Sequence, residues 1–112
     1  MQWIHELSIA HLNLKDVNAD TLTEHLGQVF RLGTGGAEAI ELELVELKQG
    51  PEVPGLESFS LLFLGPEVPL LSQGIYGLWR EVLGRLELFL VPLGPDRAGR
   101  QRYEAIIQHL RL

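Results

Sequence analysis

Four histidines and four serines are among the residues of this 112-residue chain that could bind a metal or act as nucleophiles. They are His5, His11, His25 and His109, and Ser8, Ser58, Ser60 and Ser72. The histidine spacings of 6, 14 and 84 residues give no i, i+4 pair of the kind that ligates zinc from one helix face. No serine lies in a G-x-S-x-G motif, the turn that presents the nucleophile of many hydrolases. We therefore expect no metal, no cofactor and no enzymatic activity.

Two further patterns resemble functional motifs only in composition. The glycine-rich run at 33–36 lacks a lysine and precedes a strand pattern, whereas phosphate-binding loops open a helix. Such a run is typical of a hairpin turn. Glu41, Glu43 and Glu46 could serve as acid and base, but closely spaced glutamates on a strand usually form its solvated side. The chain also contains no cysteine, which excludes disulfides and thiolate ligands.

The charge and hydropathy of the chain exclude two classes of partner. Nine basic and fifteen acidic side chains give a formal charge of −6, which repels the phosphate backbone of nucleic acids. No apolar run approaches the roughly 20 residues that cross a bilayer, so we expect no membrane partner. The N-terminus has no basic segment followed by an apolar one, as a signal peptide would. We therefore expect a cytoplasmic location.

The residues most suited to contacting another protein are two tryptophans and a group of arginines. Trp3 and Trp79 are candidates because tryptophan is enriched at binding hot spots, although each could instead fill the core. Arg97, Arg100 and Arg102 could meet an acidic surface, or could simply be solvated loop charges. Leucine occurs 23 times, more often than one small barrel needs for its interior, which predicts an exposed apolar patch that a partner covers.

The first part of the chain predicts one short helix followed by strands. Capping residues, with Thr21 and Glu24 at the spacing of a capping box, predict a helix over about residues 19–26. Residues 1–17 fit a helix or an extended arm, and we treat them as an extension to a single β-domain at 18–112. Alternating apolar residues then predict strands at 28–33 and 39–48. The alternation slips by one residue at Val45, which predicts a β-bulge.

The second part of the chain is punctuated by glycine and proline. Identical Gly-Pro-Glu-Val-Pro segments at 50–54 and 65–69 predict loops around a strand at 57–64, since proline has no N–H for a sheet ladder. Residues 75–80 and 85–93 predict a hairpin through 81–84. Within it, residues 86–91 are nearly all apolar and predict a strand buried on both faces. The segment from Tyr103 onwards fits either a helix or a strand, and its local pattern slightly favours a helix.

Together these elements predict a mainly β fold. Six short strands with glycine and proline between them, and one short N-terminal helix, indicate a small six-stranded antiparallel barrel or a two-layer sheet. Closing the sheet would remove leucine-rich edges that would otherwise be exposed.

Several sequence blocks resemble a family of small bacterial proteins known only as a domain of unknown function. They are FSLLF at 59–63, LSQGIY at 71–76, GRLELFLVPLGP at 84–95 and RYEA at 102–105, with LGQVF at 26–30 and LELVEL at 42–47 as further similar positions. The resemblance implies a mostly β domain over about residues 20–107 and a strand at 103–105, and it implies no catalytic residue. Members of that family often accompany phage-tail-collar-like proteins, which implies an accessory or assembly role.

We therefore expect a non-enzymatic domain that binds another protein chain, either a second copy or a tail-collar-like protein. It would act as an assembly factor or structural component of a phage-tail-like or fibre system. The alternative is a small-molecule-binding barrel with an apolar interior, whose cavity would be lined by residues such as Phe63, Leu88 and Leu90. A third hypothesis is an enzyme of unrecognised type, which buried and mutually close ionisable groups would favour.

Overall fold

A computed structural model describes residues 18–33 and 39–110 of the chain. One helix precedes six strands in this part of the molecule. These elements are α1 (Ala19–Thr23), β1 (Val29–Leu32), β2 (Ile40–Gln49), β3 (Leu56–Gly65), β4 (Gly74–Arg80), β5 (Gly84–Pro95) and β6 (Gln101–Leu110). Among the described residues, no helix has the length and the apolar character that are needed to cross a bilayer.

The six strands form one antiparallel sheet that closes into a barrel in the order β1-β2-β3-β6-β5-β4. Strands β1 to β3 and strands β4 to β6 are two meanders, joined where β3 pairs with β6 over ten residue pairs. The barrel closes where β1 pairs with β4 at only two residue pairs. The mainly β, six-stranded antiparallel fold with one short helix is thus confirmed, and the closure selects the barrel over the two-layer sheet.

Helix α1 is shorter than the sequence predicts. Its N-cap is Asn18, whose side-chain oxygen accepts the Thr21 backbone N–H at 2.8 Å. The helix ends at Thr23 instead of continuing to residue 26, because the chain turns into the sheet at Gly27. Gly27 has a φ of 82°, and its N–H donates to the Leu44 carbonyl of β2. Ala19 and Leu22 on the buried side of α1 join the barrel core.

The core is formed by alternate residues of every strand, as a closed sheet with one interior requires. Phe63, Leu88 and Leu90 are completely buried in it. The Phe63 ring meets the Phe30 ring edge to face, with centroids 5.6 Å apart. The prediction that β5 is buried on both faces is wrong, because Phe89 alternates with buried leucines and lies on the outside.

The C-terminal segment is strand β6, so the slight local preference for a helix is wrong and the strand implied by the family resemblance is correct. Tyr103, Ala105, Ile107 and His109 point inwards with period two, and the ladder with β3 fixes this register. The predicted bulge in β2 is confirmed by a register shift between Leu44 and Glu46. Of the predicted turn at 33–36, only Gly33 lies within the described residues.

The two Gly-Pro-Glu-Val-Pro segments are loops around β3, as predicted. The second loop crosses to β4 and is held to the barrel by Tyr103. The Tyr103 hydroxyl accepts the backbone N–H of Leu71 at 3.0 Å, and both residues are buried. A backbone N–H buried without a partner would be costly, so this contact fixes where the connection between the two meanders lies.

Candidate protein-interaction surface

Four apolar side chains are exposed on β4, on the turn after it and on the part of β5 that pairs with β4, and we call them the β4–β5 face: Ile75, Trp79, Val82 and Phe89. Their exposed fractions are 56% for Ile75, 46% for Trp79, 101% for Val82 and 41% for Phe89. Ile75 and Phe89 are direct partners across the two strands. Because Leu78, Leu86, Leu88 and Leu90 occupy the inward positions, alternation directs this apolar set to the outer surface.

The tip of the hairpin presents Val82 in an unusual backbone conformation. Its φ of 76° lies in the left-handed region, which a β-branched residue rarely adopts because of steric crowding. Its side chain contributes nothing to the core, since it is completely exposed. A strained position that presents an apolar side chain to solvent is typical of a contact site.

Arg80 holds the turn end of this hairpin against β1. Its Nε donates to His25 Nδ1 at 3.0 Å, and its two terminal nitrogens donate to the Val29 carbonyl at 3.1 Å and to Gln28 Oε1 at 2.9 Å. Three hydrogen bonds from one guanidinium hold β4 at a defined position beside the short strand β1. Trp79, the preceding residue, is therefore presented from a well-supported strand end.

A row of cross-strand partners passes through Trp79. Arg31 of β1 pairs with Trp79 on one side and with Glu41 of β2 on the other, while Trp79 also pairs with Arg85 of β5. We call these four residues the charged row: Glu41, Arg31, Trp79 and Arg85. Arg31 and Glu41 form a loose ion pair at 3.8 Å, with about two thirds of each side chain exposed. A shallow groove of about 320 Å³ runs beside the row and is lined by Trp79 and Val82 as well as by Arg31 and Glu41.

Arg85 lies along the sheet surface because of a neighbouring glycine. A Cβ atom on Gly77 would lie only 2.6 Å from a guanidinium nitrogen of Arg85, so the glycine leaves room for that side chain. The same guanidinium contacts Glu87 at 3.2 Å, and about half of the Arg85 side chain stays exposed. The charged row thus has an arginine on each side of the tryptophan.

A larger open groove of about 970 Å³ lies on the β1–β2 side, between these strands and the loop at 66–69. Its acidic residues are already paired, Glu41 with Arg31 and Glu43 with Arg100, whose guanidinium donates to Glu43 Oε1 at 2.8 Å. Each carboxylate is therefore offset by a positive charge. Within residues 18–33 and 39–110, His, Asp and Glu form no group of three or more that could hold a metal ion.

The contact residues predicted from the sequence have different surroundings. Trp3 lies outside the described residues, whereas Trp79 is half exposed at the centre of the charged row. Arg97 is exposed. Arg100 is bound to Glu43, and Arg102 donates to the carbonyls of Leu93 at 2.9 Å and Gly94 at 3.2 Å. The structure does not bring the arginines together with Trp79, and two of them hold the β5–β6 turn against the barrel.

Sequence reasoning missed Ile75, Val82 and Phe89. For Phe89 a signal exists, because Glu87 lies two residues before it and must avoid the core, which places Phe89 on the outer side as well. The leucine excess is a poorer guide. Ten leucines belong to the core, and the exposed ones in the described part of the chain, Leu26, Leu70, Leu93 and Leu110, lie on separate segments.

One buried ionisable pair lies away from this surface. Glu57 Oε1 of β3 is 2.7 Å from His109 Nε2 of β6, and both residues are more than nine tenths buried. Among the described residues this nitrogen has no hydrogen-bond partner, and its contact with Glu57 is an ion pair when both imidazole nitrogens carry a proton. The other Glu57 oxygen accepts the Ala19 N–H at 3.3 Å. The pair therefore ties α1 to the barrel.

Comparison with known protein families matches residues 17–107 to a family described as "Domain of unknown function (DUF6916)". The chain belongs to the DUF6916 family. No curated protein and no solved structure matches the chain. The DUF6916 match extends from just before α1 into β6, so it includes the whole β4–β5 face and the charged row. The sequence block at 84–95 coincides with the full length of β5.

Proposed function

We propose that this DUF6916 domain is a non-enzymatic module that binds another protein through the β4–β5 face. The observation that supports the proposal is the concentration of Ile75, Trp79, Val82 and Phe89 on one braced hairpin, where they are exposed. Tryptophan flanked by arginines and by other apolar groups is the composition in which binding energy is usually concentrated. Burying this apolar area against a partner removes it from water, which favours association.

The finer part of the proposal is the system in which the domain acts. We propose an assembly or structural role in a bacterial phage-tail-like or fibre system, with a tail-collar-like protein or a second copy as the partner. This part rests on the family resemblance alone. A cytoplasmic site of action belongs to the same proposal, and fractionation of the native cells tests it.

The experiment measures binding between the purified domain and the purified products of neighbouring genes. We expect at least one product to bind, and Trp79→Ala to weaken that binding by about tenfold or more, as expected for a hot spot. The matched control is Ile106→Ala, which removes an even more exposed apolar side chain from β6, outside the face. Circular dichroism confirms that both variants fold.

Two results would contradict the proposal. One is the absence of binding to every candidate while the domain also remains a monomer. The other is an equal loss of binding in the Trp79→Ala and Ile106→Ala variants, which would mean that the β4–β5 face has no particular role.

A further inference from the structure

We propose that residues 1–17 of this chain bind between β5 and β6 and complete the barrel wall there. This inference goes beyond the proposed function, because it concerns a contact within one chain. It starts from the point where the pairing of β5 with β6 stops, at Val91 and Glu104. Among the described strands, residues 84–90 of β5 form no ladder with residues 105–110 of β6. We call the space between these two stretches the β5–β6 gap.

Both borders of the gap are held in place by strands on their other sides. Residues 84–90 pair with β4 and residues 105–110 pair with β3, while β5 and β6 are neighbours in the barrel order. In such a ladder every second residue of β6 directs its N–H and C=O away from β3, towards the gap. Ala105, Ile107 and His109 of this stretch are buried, so backbone groups here need hydrogen-bond partners. An added segment of chain can supply them.

The borders of the gap are apolar on the outside of the barrel as well as on the inside. Leu88 of β5 and Ile107 of β6 are directed into the core. Phe89 on β5 is 41% exposed, while Ile106 and Leu110 on β6 are 63% and 42% exposed. The segment that occupies the gap should therefore be rich in apolar residues, because it would cover apolar surface on both borders.

Residues 1–17 end beside this gap and are long enough to fill it. They lead into Asn18, the N-cap of α1, and the next N–H, that of Ala19, donates to Glu57 Oε2 at 3.3 Å. Glu57 is the cross-strand partner of His109, which lies on the β6 border. Seventeen residues reach at most about 60 Å when extended. The six residues of the β6 border span only roughly 20 Å.

The composition of residues 1–17 also fits the gap. Nine of these seventeen residues are apolar, and they are Met1, Trp3, Ile4, Leu7, Ile9, Ala10, Leu12, Leu14 and Val17. Leaving so many apolar side chains in water is unfavourable, so the segment gains by covering apolar surface close to where it joins α1. The β4–β5 face lies beyond β5, so Trp79 and Val82 stay available to another protein.

The test uses a spin label, which can be attached at one position because the chain has no cysteine. A nitroxide on Ser8→Cys lies in the middle of the segment, and NMR of the isotope-labelled full chain measures the loss of each amide signal near it. We expect the strongest loss at residues 86–90 and 105–110. The weakest loss should be at β1 and at residues 40–44 of β2, because these strands lie on the opposite side of the barrel.

Two further variants show whether apolar contacts hold the segment. Adding Leu12→Asp to the spin-labelled chain should restore most of the lost signal, because a carboxylate is unfavourable in an apolar gap. The matched control is Asn13→Asp, which adds the same charge without removing an apolar side chain and should leave the signal loss unchanged. Circular dichroism confirms that both variants fold.

Three outcomes would overturn the inference. One is a signal loss that is even around the barrel or strongest at β1 and β2. Another is the same result for Leu12→Asp and Asn13→Asp. The third is a loss at the gap when spin-labelled chains without isotope are mixed with isotope-labelled chains without a nitroxide, since the segment would then bind a second copy instead of its own barrel. The proposed function is tested separately, through the effect of Trp79→Ala on binding another protein.

Discussion

Glu57 illustrates how one buried side chain connects three elements of this barrel. It belongs to β3, contacts His109 of β6 and accepts the first backbone N–H of α1. Burial of a carboxylate is unfavourable unless other groups offset its charge and satisfy its oxygens. The Ala19 N–H satisfies one Glu57 oxygen and the His109 imidazole lies against the other, so removing either ionisable side chain takes a close contact from the buried group that remains.

We predict that Glu57→Met and His109→Leu each lower the free energy of unfolding by about 3 kcal/mol, since each breaks a buried pair from one side. The double variant should cost clearly less than the sum of the two single changes, because the contact between the two side chains is then lost only once. Urea unfolding followed by circular dichroism measures all three values. Additive losses would show that the two side chains do not interact.

Residues of this kind are also the hardest to recognise in the sequence. His109 and Glu57 are 52 positions apart, and histidine and glutamate are residue types that are common on protein surfaces. Tyr103 and Leu71 form a similar distant contact at the connection between the meanders. Sequence spacing cannot reveal such pairs, because it does not show which strands are neighbours, and Glu57 meets His109 only through the pairing of β3 with β6.

At the scale of elements, the β4–β5 hairpin combines good support with local strain. Arg80 anchors the last residue pair before the turn, while Val82 within the turn adopts the left-handed backbone conformation. Natural proteins keep strained residues mainly where the strained conformation serves a purpose. In the proposed role, the purpose is to expose an apolar side chain beside Trp79.

Val82→Asn separates stability from binding at this tip. We predict that it raises the free energy of unfolding by about 1 kcal/mol, because asparagine tolerates positive φ better than a β-branched residue. The same change should weaken association, because the exposed apolar group is lost. Chemical denaturation and sedimentation measure the two effects. The control is Val53→Asn, an exposed valine outside the positive-φ region, which should give no gain in stability. A loss of stability in Val82→Asn would contradict the strain.

The strands differ in how well their own sequences predict them. The β2 bulge and the β4–β5 hairpin follow from local signals, a slip in alternation and a short turn that ends at Gly84. Strand β6 does not, because the apolar residues from Tyr103 onwards also match a helical period. The ten-pair ladder with β3 decides the matter, since a strand at this place completes the barrel and a helix would leave the β3 edge unpaired.

For the whole molecule, the closure of the barrel is uneven. Strands β3 and β6 share ten residue pairs, whereas β1 and β4 share two. The barrel is therefore expected to open first between β1 and β4, where the fewest backbone hydrogen bonds must break.

We predict that backbone amides of β1 exchange with solvent about tenfold or more faster than those in the centre of β3 and β6. Native-state hydrogen exchange followed by NMR or mass spectrometry measures the difference. Equal protection around the barrel would contradict the uneven closure.

The sequence alone determined the mainly β character, the approximate strands, the bulge in β2 and the absence of recognisable catalytic motifs, because alternation, turn residues and motif spacing are local properties. The tertiary structure decided which strands are neighbours, that β6 is a strand and that β5 has one exposed side. It also decided that Glu41, Arg31, Trp79 and Arg85 form one row across four strands. These four residues are far apart in the chain, and only the pairing register of a closed sheet makes them neighbours.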